Sequence, residues 1–158
     1  MSGGRESLAI DLYEQPGHLI RRAQQIAVSM FLQHIGRDVT PVQYAVLRML
    51  QERPGIDQVT LAAEVALDTS TTAELAVRLE AKGWIERRLL PRRQRALHLT
   101  PDGEAVLARL VPGIREMNQH MLASLDEHER SQLMALLRKF VQLNNEQSRA
   151  PLGGKSAD

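Results

Sequence analysis

The residues best suited to chemistry lie between Arg87 and Arg95, where the run RRLLPRRQR holds five arginines (Arg87, Arg88, Arg92, Arg93 and Arg95) and no acid. Like charges this dense repel one another, so the run costs stability unless a polyanion or nearby carboxylates offset it. A little upstream, Thr69, Ser70, Thr71 and Thr72 are short hydroxyl residues able to contact phosphates or base edges, and Arg78 could reach a nucleic-acid backbone. Glu74 falls on that same outward side, and Thr60 is expected to face outward from the preceding helix. The bland alternative is a solubilising loop beside ordinary solvated helix faces. Five arginines without a compensating acid make it the weaker reading, and duplex nucleic acid is the natural counterpart.

Other chemistries find little footing. The histidines His18, His34, His98, His120 and His128 lack metal-ligand spacing with one another. No nucleophile and base signature and no phosphate-cradling glycine loop is present, so neither catalysis nor a metal or cofactor is expected. The absence of cysteine removes disulfides and thiolate metal sites. With 3% aromatic residues, the stacking platforms that bind single strands are not expected either. The formal charge of +1 is unremarkable, so the case for nucleic acid rests on where the arginines lie.

Helix and hairpin signals must place these groups. Apolar residues Leu19, Ala23, Ile26, Met30 and Phe31 recur at three- and four-residue steps and predict a helix over Pro16 to Ile35, ended by Gly36. Thr40, Pro41 and Gln43 form a strong helix start for a second helix to about Arg53, stopped by Pro54 and Gly55. Asp57 suits the cap of a short third helix with Leu61, Ala62 and Val65 inward. A fourth follows almost at once, with Leu75, Ala76 and Leu79 inward and Gly83 as its stop. Trp84 to Leu90 and Ala96 to Leu99 alternate as the two strands of a hairpin with the arginines at its tip and sides. Thr100 and Pro101 open a long helix that Pro112 and Gly113 interrupt, expected as one kinked helix because the apolar phase continues through them, and Asp126 opens a last one with Leu133, Leu136, Leu137, Phe140 and Val141 on one face.

The expected fold is therefore mainly α with a small β-hairpin wing: a winged helix-turn-helix over 40–100, flanked by a helical dimerisation region at 16–36 and 101–147. Residues 1–15 read as a flexible arm and 148–158 as a disordered tail. At 158 residues and 43% hydrophobic content the chain holds one well-buried domain with helical seams left over, and burial against an identical copy is the simplest outlet for them. Neither a signal peptide nor a bilayer-spanning stretch is seen, so no membrane is expected and a cytoplasmic location is.

Three stretches, TPVQYAVLRML (Thr40 to Leu50), LAAEVALDTSTTAELAVRLEAKGWIERR (Leu61 to Arg88) and LHLTPDG (Leu97 to Gly103), resemble the MarR family of transcriptional regulators. The Leu-Glu-x-x-Gly ending of the fourth helix and the Leu-Thr-x-x-Gly after the wing carry much of the likeness. The opening PGHLIRRAQQIAVSMF is similar to repressors of aromatic-acid and nicotinate catabolism. The resemblance implies a winged-helix dimer on a pseudo-palindromic operator, released by a small aromatic carboxylate. It departs from the family pattern at Pro91, where an Asp usually orients a wing arginine, at Glu74, where basic or hydroxyl residues are common, and at Val77, which replaces a frequent Asp.

The family's effector pocket directs attention to the first, second and fifth helices. Arg22 shares the stripe of Leu19, Ala23 and Ile26, where an unpaired charge is expensive to bury and a carboxylate would pair with it bidentately. His18 lies one turn earlier on the same side, Arg21 about 100° round the helix, and Gln43 and Tyr44 are the expected contributions from the second helix. An ion pair with a partner chain, or a solvated Arg22, is the ordinary alternative. Two other functions fit the same sequence: a helical dimeric protein-interaction module, and a regulator with no effector.

Overall fold

The computed structural model describes residues 10–148, so residues 1–9 of the expected arm and 149–158 of the expected tail lie outside it. The inner end of the arm is a single 3-10 turn, Leu12–Glu14, in which the Tyr13 amide donates to the Asp11 carboxylate. Helix α1 (Pro16–Ile35) opens on proline, whose fixed φ suits a first turn where no amide partner is needed. Helix α2 (Pro41–Glu52) starts in a reciprocal cap: the Thr40 hydroxyl accepts from the Gln43 amide while the Gln43 side chain accepts from the Thr40 amide, both at 3.1 Å.

Strand β1 (Ile56–Asp57) leads into α3 (Gln58–Glu64), and Asp68 caps α4 (Thr69–Ala81). Gly83 follows with φ of 75°, a left-handed position that glycine occupies without strain. Strands β2 (Ile85–Leu89) and β3 (Arg95–Leu99) then form the wing. The sheet has three antiparallel strands in the order β1-β3-β2, not the two of a simple hairpin. Ile56 pairs with Leu97 and Ile85 with Leu99. A strand of two residues has no alternation to detect, which is why β1 escaped the pattern.

Helix α5 (Pro101–Met121) is continuous through Pro112, and α6 (Glu127–Leu143) begins in a second reciprocal cap between Asp126 and Glu129. The core lies between α2, α3, α4, the sheet and the first half of α5; Leu47, Leu61, Leu79 and Leu97 are wholly buried in it. Each such leucine contributes roughly 1.5–3 kcal/mol by leaving water. The two flanking helices are different. Phe31 is the one buried residue of α1, and α6 has none among its described residues. Leu19 and Ile26, on the stripe expected to be inward, are exposed, as are Leu136, Phe140 and Val141. None of the described helices is long and apolar enough to cross a membrane.

Candidate nucleic-acid interface

The start of α4 is built by one carboxylate. Asp68 accepts from the Thr71 amide at 2.7 Å and from the Thr71 hydroxyl at 2.9 Å, while the Thr72 hydroxyl turns back to the Asp68 carbonyl at 2.9 Å. Thr72 is 1% exposed, so it cannot serve as a nucleic-acid contact. The helical phase explains this: it lies four residues before Ala76 on the core side. Thr60 is corrected similarly, because its half-buried hydroxyl donates to Asp57 at 2.5 Å and braces the cap of α3 instead of facing outward freely. Burial alone would raise the Asp57 carboxyl, but the Thr60 hydroxyl and the amides of Thr60 and Val59 hold it below its ordinary range.

Exposed on α4 are Thr69, Ser70, Thr71, Glu74, Val77 and Arg78, with Ala81 at its end. Thr69 and Ser70 carry hydroxyls bonded to no other described group, at the helix N-terminus where unpaired amides and the dipole favour phosphate. Val77, half exposed and three residues after Glu74 on the same outward side, is missing from the contacts expected from the sequence, although a methyl-bearing side chain there suits a thymine methyl.

The wing divides its five arginines. Arg87, with 17% of its side chain exposed, is clamped to Glu80 of α4, the guanidinium at 2.9 Å from one carboxylate oxygen and the backbone amide at 3.0 Å from the other. The hydrogen bond from Arg87 holds the Glu80 carboxyl below its ordinary range and raises the guanidinium's own pKa. Arg88 pairs with Glu86 at 3.1 Å in full view of solvent, which likewise depresses Glu86. Carboxylates therefore do offset part of the run, and one of them, Glu80, is supplied from a different element. Arg92, Arg93 and Arg95 are exposed and form no ion pair among the described residues.

Pro91 shapes the tip. It forces Leu90 to an extended backbone (φ of −99°, ψ of 165°) and opens a 3-10 turn in which Arg92 and Arg93 both take left-handed φ, 66° and 61°. Two successive non-glycine residues in that region cost on the order of 1–3 kcal/mol each, strain that the Leu90 amide to Gln94 carbonyl bond at 2.7 Å helps to hold. Arg93 and Arg95 share with Asp57 and Gln58 a cavity of about 200 Å³ between the wing and the start of α3.

The expected effector residues are not gathered in one place. Arg21 meets His18 at 3.3 Å near the start of α1, with Tyr13 edge-on to the His18 ring. Arg22 is exposed, and the Gln43 side chain is committed to the cap of α2. No described hydrogen bond joins His18, Arg21 or Arg22 to Gln43 or Tyr44. Tyr44 instead lines a cavity of about 480 Å³ between α2 and α5, with Arg48, Gln51, Val111 and Arg115 among its walls. Arg48 is bonded there to Gln51 and Glu52.

Two helices turning through Ala66, the second capped with its N-terminus exposed, beside a strand pair tipped with exposed arginines, define a winged helix-turn-helix DNA-binding protein. The comparisons agree. The MarR family model matches residues 39–97. The repressor NicR of Pseudomonas putida is 31% identical over 134 residues, covering 83% of this chain and 85% of NicR. Among solved structures, PcaV of Streptomyces coelicolor with its natural ligand superposes at a TM-score of 0.80 with 38% identity, over 84% of this chain and 96% of PcaV. BpsR of Bordetella bronchiseptica, whose DNA binding is regulated by 6-hydroxynicotinic acid, gives 0.74 with 34% identity, over 78% and 96%. The chain belongs to the MarR family of transcriptional regulators.

Proposed function

We propose that this chain is a homodimeric repressor that binds a pseudo-palindromic operator and releases it when a small aromatic carboxylate binds. The observation that carries the DNA reading is the Glu80–Arg87 clamp. It ties the last turn of α4 to strand β2, so the helix with the exposed N-terminus and the wing with its exposed arginines form one unit. In this reading Thr69, Ser70 and Thr71 meet phosphates or base edges in the major groove, with Glu74, Val77 and Arg78 alongside. Arg92, Arg93 and Arg95, with Arg88 at the margin, reach the neighbouring minor groove or its phosphates. Arg87 acts only by positioning the wing.

The exposed apolar faces of α1 and α6 support the dimer. A two-fold axis through 16–36 and 101–147 would set the two 40–100 lobes on half-sites about 34 Å apart. The effector proposal is supported by PcaV, solved with its natural ligand, and by BpsR, whose DNA binding is regulated by 6-hydroxynicotinic acid. The α2–α5 cavity at Tyr44 joins the DNA lobe to the flanking helices, and Arg115 in its wall, which forms no ion pair among the described residues, suits a carboxylate. His18, Arg21 and Arg22 would complete a site only in the assembled dimer. A ligand there changes operator affinity by favouring a lobe spacing that misfits the two grooves. The protein acts as a regulator in the cytoplasm and not as a catalyst.

The test is a fluorescence-anisotropy titration of operator-containing duplex DNA from the flanking genomic sequence, with hydroxybenzoates and hydroxypyridine carboxylates added in turn. Salt-sensitive binding that one acid class weakens is the expected result. Salt-insensitive or absent DNA binding would favour a protein-interaction module, and DNA binding that no acid changes would leave a regulator without an effector.

A further inference from the structure

Away from the DNA-facing side, the end of α1 is pressed against the middle of α5. The contact is set by Gly113: a Cβ there would lie 2.8 Å from the His34 carbonyl, so only glycine lets the helices approach this closely. One turn further along α5, Glu116 and His120 are four residues apart and therefore share a face. The close approach brings His34 onto that face. His120 Nδ1 and His34 Nε2 stand 3.3 Å apart, and one donor atom from each of His34, Glu116 and His120 lies within 4.8 Å of the others.

We propose that His34, Glu116 and His120 form a binding site for a zinc-class divalent transition metal that clasps α1 to α5. Two imidazoles and one carboxylate are the donor set zinc takes in open three-ligand sites, with water in the fourth position, and they disfavour magnesium and calcium, which seek oxygen alone. Zinc–nitrogen bonds of about 2.0–2.1 Å at a tetrahedral angle place two ligand nitrogens about 3.3 Å apart. That is the separation the two rings already have. The rings are tilted by 49°, and a cation between their facing nitrogens can accept both lone pairs, whereas a hydrogen bond uses only one. His34 is half-buried while Glu116 and His120 are exposed, so an ion and its water have access. Arg109, which shares a small cavity with His34 and Gly113, is the charge that opposes the ion from the earlier turn. The three ligands come from α1 and α5, and none of them lines the α2–α5 cavity, so the two sites are distinct.

The metal-stripped full chain titrated with zinc against a chromogenic chelator should bind one ion per chain. Cobalt(II) in its place should give the intense visible absorption of a tetrahedral complex. His120→Ala and Glu116→Gln, both at exposed positions, should each weaken binding by at least about 100-fold, more than the loss of an outer-shell partner costs. His128→Ala should bind as the parent does. Zinc should also raise the melting temperature of the parent and not that of His120→Ala. Absence of binding, or equal binding by His120→Ala and the parent, overturns the proposal whether or not the chain binds DNA.

Discussion

If the wing arginines divide as their partners indicate, Arg87→Ala and Arg93→Ala should fail in opposite ways. Arg93 is exposed with no ion pair among the described residues, so its removal leaves the fold intact and takes one cation from the DNA surface. Each phosphate neutralised contributes about 0.9 to the slope of log affinity against log salt, so that slope should shrink by about 0.9. Between 50 and 200 mM salt, the fall in affinity should then be gentler by about 3.5-fold than in the parent. Arg87→Ala leaves Glu80 without its main partner. Glu80 is 39% exposed, so water screens much of the loss, and the cost should be about 1–2 kcal/mol, or a fall in melting temperature of roughly 2–8 °C. Its salt slope should match the parent's, although its affinity falls as the wing loses its tether. Anisotropy across a salt series and a thermal melt on the same samples read both quantities. An Arg87→Ala slope reduced as much as that of Arg93→Ala would refute the division.

Three further outcomes follow from the geometry. Gly103→Ala would place a Cβ 2.0 Å from the Trp84 carbonyl, which also accepts the Thr100 amide, so the first turn of α5 must shift and the melt should show a loss of about 3 kcal/mol or more; an unchanged melting temperature would contradict the packing. Asp57 and Glu80 have lowered folded-state pKa values, so their contribution is full above the ordinary carboxylate range near pH 4 and is lost as pH falls through the folded values; urea midpoints should drop there, less steeply for Glu80→Gln. Phe140→Asp, at a side chain 51% exposed in the single chain, should convert a dimer into monomers on size exclusion with light scattering while leaving the helical content unchanged, and a persistent dimer would place the interface elsewhere.

Local rules sufficed for much of this protein. Hydroxyl and carboxylate caps, first-turn prolines and stopping glycines marked the helices, because each satisfies end groups within a few residues of itself. The arginine run and the hydroxyls of α4 were visible for the same reason, and with them the nucleic-acid reading. Which of those groups is available was settled by contacts between elements. Thr72 is turned inward where α4 packs on the core, whereas Thr60 is claimed locally, by the Asp57 cap three residues before it. Arg87 is taken by Glu80, seven residues away and on another element. His34 and His120, 86 residues apart, meet only because Gly113 allows two helices to touch, so no spacing along the chain could disclose them. The sequence alone determined where helices begin and end and where charge accumulates, since both depend on neighbours in the chain. Tertiary structure decided which charges are spent on the fold and which face outward, since pairing depends on elements that only packing brings together.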